Sequence, residues 1–112
     1  PKNQKFVRDF AADNGAKLRP SYFAVTAYDA MAAIDLALAK TKGDTGGDKF
    51  MEALKGLSFE SPRGPIEIDP ATRDIVQTVY IRKTERVNGQ LVNVEFDKFD
   101  RVKDPAKEAA AK

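Results

Sequence analysis

The sequence predicts an α/β chain in which three helices are followed by a short strand and a β-hairpin. Residues 20–39 are apolar on almost every side and carry charge only at Asp29 and Asp35, which is typical of a helix surrounded by other parts of a protein. Asn88-Gly89 stands between two strand-like segments and favours the two-residue turn of a hairpin. About halfway along, the character of the chain therefore changes from helical to strand-rich.

Three segments of the first half have helical signals. Residues 2–14 carry apolar side chains on one face, and Gly15 follows, which takes a left-handed helix end at low cost. Ser21 can cap the second helix, which is expected to run to about residues 40–42. A third helix is predicted near residues 46–57, because apolar side chains recur there every three or four positions.

The second half has the signals of strands and turns. Residues 58–65 contain two prolines and a glycine, so a helix is not expected there. A short strand is predicted at residues 66–68, the clearest strand at 75–87 and a return strand at about 90–99. Residues 103–112 are rich in lysine, alanine and glutamate, which indicates a frayed helix or a disordered tail.

Composition excludes several classes of function. The 19 basic and 17 acidic residues are interspersed and give a net charge of +2, so no nucleic-acid partner is indicated. The absence of cysteine and histidine excludes a thiolate zinc site, a cysteine nucleophile and a histidine general base. Because no nucleophile–base pair is visible either, we expect neither an enzyme nor a bound metal or cofactor.

Four residues of the long helix are candidates for a role beyond packing. Asp29 and Asp35 are six positions apart, so they point to different faces and cannot form a close carboxylate pair. Asp29 is expected to cap a nearby group or to meet a cation from sequence absent here. Tyr22 and Phe23 lie in the first helical turn, where aromatic rings can contact the apolar part of a ligand while free amides meet its anion. Spacing alone favours the alternative that both rings pack in a core.

Several motifs occur in a fixed order along the chain. They are Phe6-Val7-Arg8-Asp9-Phe10 with Asn14-Gly15, then Pro20-Ser21-Tyr22-Phe23-Ala24 with Ala27-Tyr28-Asp29-Ala30, then Phe50-Met51-Glu52-Ala53-Leu54, then Phe59 to Asp69 with its Gly64-Pro65 pair, and last the strands around Asn88-Gly89. The ordered set covers residues 3–102. It resembles the carboxyl-terminal third of the type I periplasmic substrate-binding proteins of ABC transporters, the branched-chain amino-acid-binding (leucine/isoleucine/valine-binding) family.

The resemblance implies a two-lobed, periplasmic-binding-protein-like fold with a ligand cleft between the lobes. Residues 1–60 would then be a helical part that packs on the amino-terminal lobe. Residues 61–102 would form the crossover and the strands of the carboxyl-terminal lobe, and residues 103–112 a tail. The apolar helix would find its neighbours in a missing amino-terminal portion of the same protein or in another copy of the chain.

The resemblance also implies particular ligand and hinge residues. In family members, the aromatic residue five positions before the tyrosine of the Tyr-Asp-Ala motif lines the cleft, and here that residue is Phe23. Tyr22 is the weaker candidate beside it. Small and turn-forming residues that can absorb a lobe rotation are predicted to form the hinge. They are Ser61, Pro62, Arg63, Gly64 and Pro65.

The function implied by the resemblance is capture of an amino acid or a related small carboxylate in the periplasm, for delivery to the permease of an ABC importer. Two alternatives remain open: a ligand-sensing module of a receptor with the same fold, and a self-contained α+β interaction domain. A self-contained domain would surround the apolar helix with its own residues, whereas a part of a larger body would leave it uncovered.

Overall fold

The computed structural model describes residues 1–110. The helices are α1 (Lys2–Asn14), α2 (Tyr22–Thr41), α3 (Gly47–Leu54) and a short α4 (Pro105–Ala110). The strands are β1 (Ser58–Ser61), β2 (Gly64–Ile68), β3 (Ile75–Val87) and β4 (Gln90–Val102). They form one antiparallel sheet in the order β1-β2-β3-β4, so that every strand pairs with its neighbour in sequence. The predicted α/β chain is confirmed, with one more strand than expected.

The helix ends follow local chemistry. The Oγ of Ser21 accepts a hydrogen bond from the amide of Ala24 at 3.4 Å, which confirms the predicted cap of α2. The third helix is shorter than predicted and ends at Leu54. It stops there because the following residues pair with the sheet: the amide of Gly56 donates to the carbonyl of Ile68 at 3.0 Å, and the amide of Ile68 to the carbonyl of Leu57 at 2.8 Å.

Strand β1 was not predicted, although the absence of a helix in this region is confirmed. Its four residues carry a single large apolar side chain, that of Phe59, so the alternation that marks a strand is missing. The prolines and the glycine that indicated an irregular segment belong to a tight hairpin instead. Ser61 pairs with Gly64, and only Pro62 and Arg63 lie between them.

The predicted hairpin around Asn88-Gly89 is confirmed. Asn88 has φ of 50° and Gly89 has φ of 80°, as a two-residue turn with positive φ at both positions requires. Both flanking strands have 13 residues. The return strand was expected to end at about residue 99 but continues to Val102, which pairs with Gln77 after an irregularity in the register.

The buried apolar core is small and leaves α2 largely uncovered. Its members are Phe6, Val25, Ala33, Ala37, Leu57, Ile66 and Val76. Large apolar side chains of α2 are exposed instead, namely Tyr22, Phe23, Tyr28, Met31, Ile34 and Leu36. The expectation that this chain alone does not surround the apolar helix is confirmed. By length and composition α2 would also suit a membrane span, a property that core helices of soluble proteins share.

The carboxyl-terminal segment is attached to the turn between β2 and β3. Asp69 of this turn accepts hydrogen bonds from the amides of Ala71 and Thr72, and its Oδ2 lies 2.8 Å from the ammonium group of Lys103. The predicted frayed helix corresponds to α4, whose Lys107 lies 2.7 Å from a carboxylate oxygen of Asp74. Residues 111–112 of the predicted tail lie outside the described residues.

Replacing Lys103 by methionine should raise the pKa of Asp69. That pKa is lowered from 3.8 to about 2, first by the hydrogen bond from Lys103 and then by the two backbone amides. Because the folded-state pKa lies below the unfolded value, Asp69 stabilises the fold at pH above 3.8, and this contribution is lost as the pH falls toward about 2. NMR titration of the Asp69 carboxyl carbon measures the change.

The matched control is Lys107→Met, which should raise the pKa of Asp74 and leave that of Asp69 unchanged. The hydrogen bond from Lys107 is the largest cause that lowers the pKa of Asp74. If the pKa of Asp69 is the same with and without Lys103, the amides of the turn alone account for its lowered value.

Replacing Gly64 by alanine should destabilise the protein more than replacing Gly15. Both glycines have positive φ, 101° and 93°, so alanine is strained at either position by about 1–3 kcal/mol. A Cβ at residue 64 would in addition lie 2.9 Å from the Oη of Tyr80, whereas nothing lies within 4 Å of a Cβ at residue 15. The Tyr80 hydroxyl donates a hydrogen bond to the carbonyl of Arg63, so the added methyl group would disturb this bond.

Displacing that hydroxyl should add about 1 kcal/mol to the effect of Gly64→Ala. Urea denaturation of the two full-length variants measures the difference between them. Equal losses would mean that the Tyr80 hydroxyl moves aside without losing its hydrogen bond.

Candidate functional site

An open groove of about 460 Å³ lies between the amino-terminal ends of α1 and α2 and the face of β3. Its walls include three aromatic rings, those of Phe6, Tyr22 and Tyr80, and two guanidinium groups, those of Arg63 and Arg82. Among the described residues that line it, none is acidic. A groove with apolar rings and cationic groups suits a small molecule that combines an apolar body with a negative charge.

The two predicted ligand residues are placed differently. Tyr22 lines the groove and is 61% exposed. Phe23 is 81% exposed and lies outside the groove lining, and its ring meets that of Tyr22 edge-on, with centroids 6.1 Å apart at an interplanar angle of 73°. Neither ring is buried in a core formed by residues 1–110, so core packing does not explain this pair within the chain.

Arg63 is the residue at which the groove, α2 and the sheet meet. Its Nε and one terminal nitrogen donate to the Oδ2 of Asp29 at 3.0 and 2.8 Å. Its other terminal nitrogen donates to the side-chain oxygen of Gln77 on β3. The guanidinium carbon lies 5.7 Å from the centroid of the Tyr22 ring, within the range of a cation–π contact.

Asp29 meets a cation, as expected, but the cation belongs to this chain rather than to absent sequence. Its side chain is 6% exposed and that of Arg63 is 16% exposed. Ser61 donates a further hydrogen bond to Oδ2 at 2.9 Å, whereas the buried Oδ1 has no hydrogen-bond partner among residues 1–110. A buried carboxylate needs such partners, since an unpaired charge is strongly unfavourable away from water.

The predicted hinge residues form the tight turn between β1 and β2. The Tyr80 hydroxyl donates to the carbonyl of Arg63 at 2.8 Å, and the side-chain amide of Asn3 on α1 donates to the carbonyl of Pro62 at 3.0 Å. The turn is therefore held from the helical side and from the sheet side. Whether the segment Ser61 to Pro65 acts as a hinge stays a prediction.

Sequence reasoning did not assign a role to Arg63 beyond the hinge. The signal that could have found it is the lone carboxylate at the middle of an apolar helix, which requires a cation. Asp29 and Arg63 are separated by 34 positions, however, and no sequence spacing indicates such a contact. Other arginines and lysines of the strand-rich half would have been equal candidates.

This arrangement, a groove open on one side next to an uncovered apolar helix, is typical of one part of a ligand-binding protein whose site is completed by other segments. The profile of a family described as "Periplasmic binding protein" matches residues 1–90. The chain therefore belongs to the periplasmic binding protein family. The family resemblance predicted from the ordered motifs is confirmed.

Known proteins agree with this assignment. The chain is 36% identical over 110 residues to Leu/Ile/Val-binding protein homolog 6 of Brucella abortus (strain 2308), covering 97% of this chain and 28% of that protein. It is 52% identical, with a TM-score of 0.88, to a solute-binding protein of an ABC transporter from Rhodopseudomonas palustris BisB5, solved in complex with 3,4-dihydroxybenzoic acid, and the match covers 93% of this chain and 28% of that one.

A further solute-binding protein of an ABC transporter, from Rhodopseudomonas palustris HaA2, is 41% identical with a TM-score of 0.69. The match covers 74% of this chain and 23% of that one, and the structure contains p-hydroxybenzoic acid. The chain thus matches about a quarter of the length of these relatives, between 23% and 28%.

Replacing Asp29 by alanine should destabilise the full-length protein by about 3 kcal/mol, because the variant leaves the mostly buried guanidinium of Arg63 without its carboxylate. Asp35→Ala is the matched control, since it removes an exposed carboxylate from the same helix and should change stability by no more than about 0.5 kcal/mol. Chemical denaturation of both variants measures the two effects, and equal effects would contradict the assigned role of the ion pair.

Proposed function

We propose that this chain is part of a periplasmic solute-binding protein of an ABC importer, which captures a small carboxylate and hands it to the membrane permease without catalysing a reaction. The proposal is supported by membership of the periplasmic binding protein family and by relatives that are themselves solute-binding proteins of ABC transporters. The observation that carries it is the open groove beside Tyr22 and Arg63, which offers a surface for a small molecule at the border between helices and sheet.

The ligand that this groove suits best is an aromatic carboxylate. An amino acid carries an ammonium group, for which a carboxylate is the strongest partner, and the described residues that line the groove supply no carboxylate. The aromatic rings and the arginines fit a benzoate-like molecule, whose ring stacks on apolar surface while its carboxylate meets a guanidinium. The two solved relatives quoted above bound hydroxylated benzoic acids and are 52% and 41% identical, against 36% for the Leu/Ile/Val-binding homologue.

In this proposal Tyr22 and Phe23 cover the apolar body of the ligand. Both rings are exposed in this chain and lie at the amino-terminal end of α2, where the helix dipole favours an anion. The apolar face of α2 packs on the remaining part of the protein, as the small core of this chain suggests.

The same fold in a ligand-sensing receptor would present the same groove, and no feature of the described residues favours that alternative. A self-contained interaction domain is disfavoured by the exposed apolar face of α2, which includes Met31 and Ile34. Large uncovered apolar patches are rare on independent soluble domains.

Replacing Tyr22 by alanine should weaken binding of 4-hydroxybenzoate to the full-length protein about tenfold, because the ligand ring loses an aromatic wall of the groove. Isothermal titration calorimetry measures the affinity, with 3,4-dihydroxybenzoate and leucine as comparison ligands. We expect both benzoates to bind and leucine to bind more weakly.

The matched control is Phe96→Ala, which removes a ring of 59% exposure from β4 outside the groove and should leave the affinity unchanged. Unchanged affinity in the Tyr22 variant would reject its role in the site. A wild-type protein that binds leucine and neither benzoate would reject the aromatic ligand.

A further inference from the structure

Arg63 makes contacts that a single positive charge could not make. Its guanidinium donates two hydrogen bonds to one carboxylate oxygen of Asp29 and a third to Gln77, and it lies 5.7 Å from the Tyr22 ring centroid. Only a planar group with several fixed donors can satisfy a carboxylate and an amide while it also contacts an aromatic ring. The side chain is 16% exposed, so little water competes for these contacts.

The backbone of Arg63 is fixed as firmly as its side chain. Its amide donates to the Oγ of Ser61 at 3.0 Å, and its carbonyl accepts from the Tyr80 hydroxyl at 2.8 Å. The Ser61 hydroxyl in turn donates to Asp29 at 2.9 Å. The guanidinium is thereby held at a defined place relative to α2 and to β3.

This fixed guanidinium lies at the beginning of a row of aromatic rings. The ring of Tyr22 lies beside the guanidinium, and the ring of Phe23 lies edge-on to that of Tyr22 at 6.1 Å. Tyr22 is 61% exposed and Phe23 81% exposed, so neither ring is held by burial. Besides the edge-on contact with Phe23, the Tyr22 ring has the contact with the fixed guanidinium of Arg63, which favours one orientation of the ring.

We propose that Arg63 is a positioning residue of the ligand site: through its planar guanidinium, anchored on Asp29 and Gln77, it orients Tyr22 and, through Tyr22, Phe23. The inference rests on the proposed function, because it assigns Arg63 to the same site. Its charge is already balanced by Asp29, so its contribution to binding is the orientation of the rings rather than attraction of the ligand.

The test replaces Arg63 by lysine in the full-length protein. Lysine keeps the positive charge but lacks the planar fork, so the Tyr22 ring should lose its fixed orientation and the affinity for 4-hydroxybenzoate should fall about tenfold. Arg101→Lys is the matched control. Arg101 also pairs with a carboxylate, that of Glu67 at 2.7 Å, but its side chain is 71% exposed and lies outside the groove. The affinity of the Arg101→Lys variant for 4-hydroxybenzoate should therefore equal that of the wild type.

A double-mutant cycle separates positioning from general structural support. In a Tyr22→Leu background the ring that Arg63 orients is absent, so Arg63→Lys should weaken binding less than twofold further. A tenfold loss in both backgrounds would overturn the inference, because Arg63 would then act independently of Tyr22. Wild-type affinity in the single variant Arg63→Lys would overturn it as well.

The orientation of the Tyr22 ring can also be measured by NMR without a ligand. In the Arg63→Lys variant the ring should take several orientations, so the chemical shifts of its assigned signals should change. In the Arg101→Lys variant these chemical shifts should stay as in the wild type. If the wild type binds none of the acids, the proposed function is rejected, and the ring signals alone then decide whether Arg63 orients Tyr22. Identical Tyr22 signals in Arg63→Lys and the wild type would overturn the positioning role.

Discussion

The ion pair between Asp29 and Arg63 is the constraint on which the arrangement of helices and sheet depends. The apolar core of the chain is small, and apolar contacts alone are non-directional, so they do not fix how α2 lies against the strands. A carboxylate that is buried on an apolar helix needs hydrogen-bond donors beside it, because an unpaired charge is strongly unfavourable away from water. Ser61 and Arg63 supply those donors from the turn between β1 and β2, and they thereby set the position of that turn relative to α2.

The sequence was sufficient for features that local chemistry decides. The cap at Ser21, the positive φ of Gly15 after α1 and the positive φ values at Asn88-Gly89 each follow from residues that are neighbours in the chain. Strand β1 was missed because a four-residue strand with one large apolar side chain has no alternation to detect. The partner of Asp29 was missed for a different reason: a contact across 34 positions depends on how distant segments pack, which no local pattern encodes.

The placement of the two aromatic candidates illustrates the same limit. Tyr22 and Phe23 lie in the first turn of α2, as predicted, because capping and periodicity fix where a helix begins. Which of two adjacent residues enters the groove depends on the rotation of the helix about its axis, since neighbouring side chains point about 100° apart. The buried face of α2 contains Val25, Asp29 and Ala33, and with this face turned inward Tyr22 rather than Phe23 lies against Arg63.

The ion pair also determines what the groove can offer to an anion. Because Asp29 balances the charge of Arg63, that guanidinium orients its neighbours and attracts a carboxylate only weakly. Arg82 lines the same groove and makes no ion pair within the described part of the chain, so the attraction rests on Arg82 and on the amino-terminal end of α2. In the proposed site, one arginine therefore organises the aromatic wall, whereas the other stays available to a ligand's negative charge. On this proposal, two arginines serve one small site without competing for the same carboxylate.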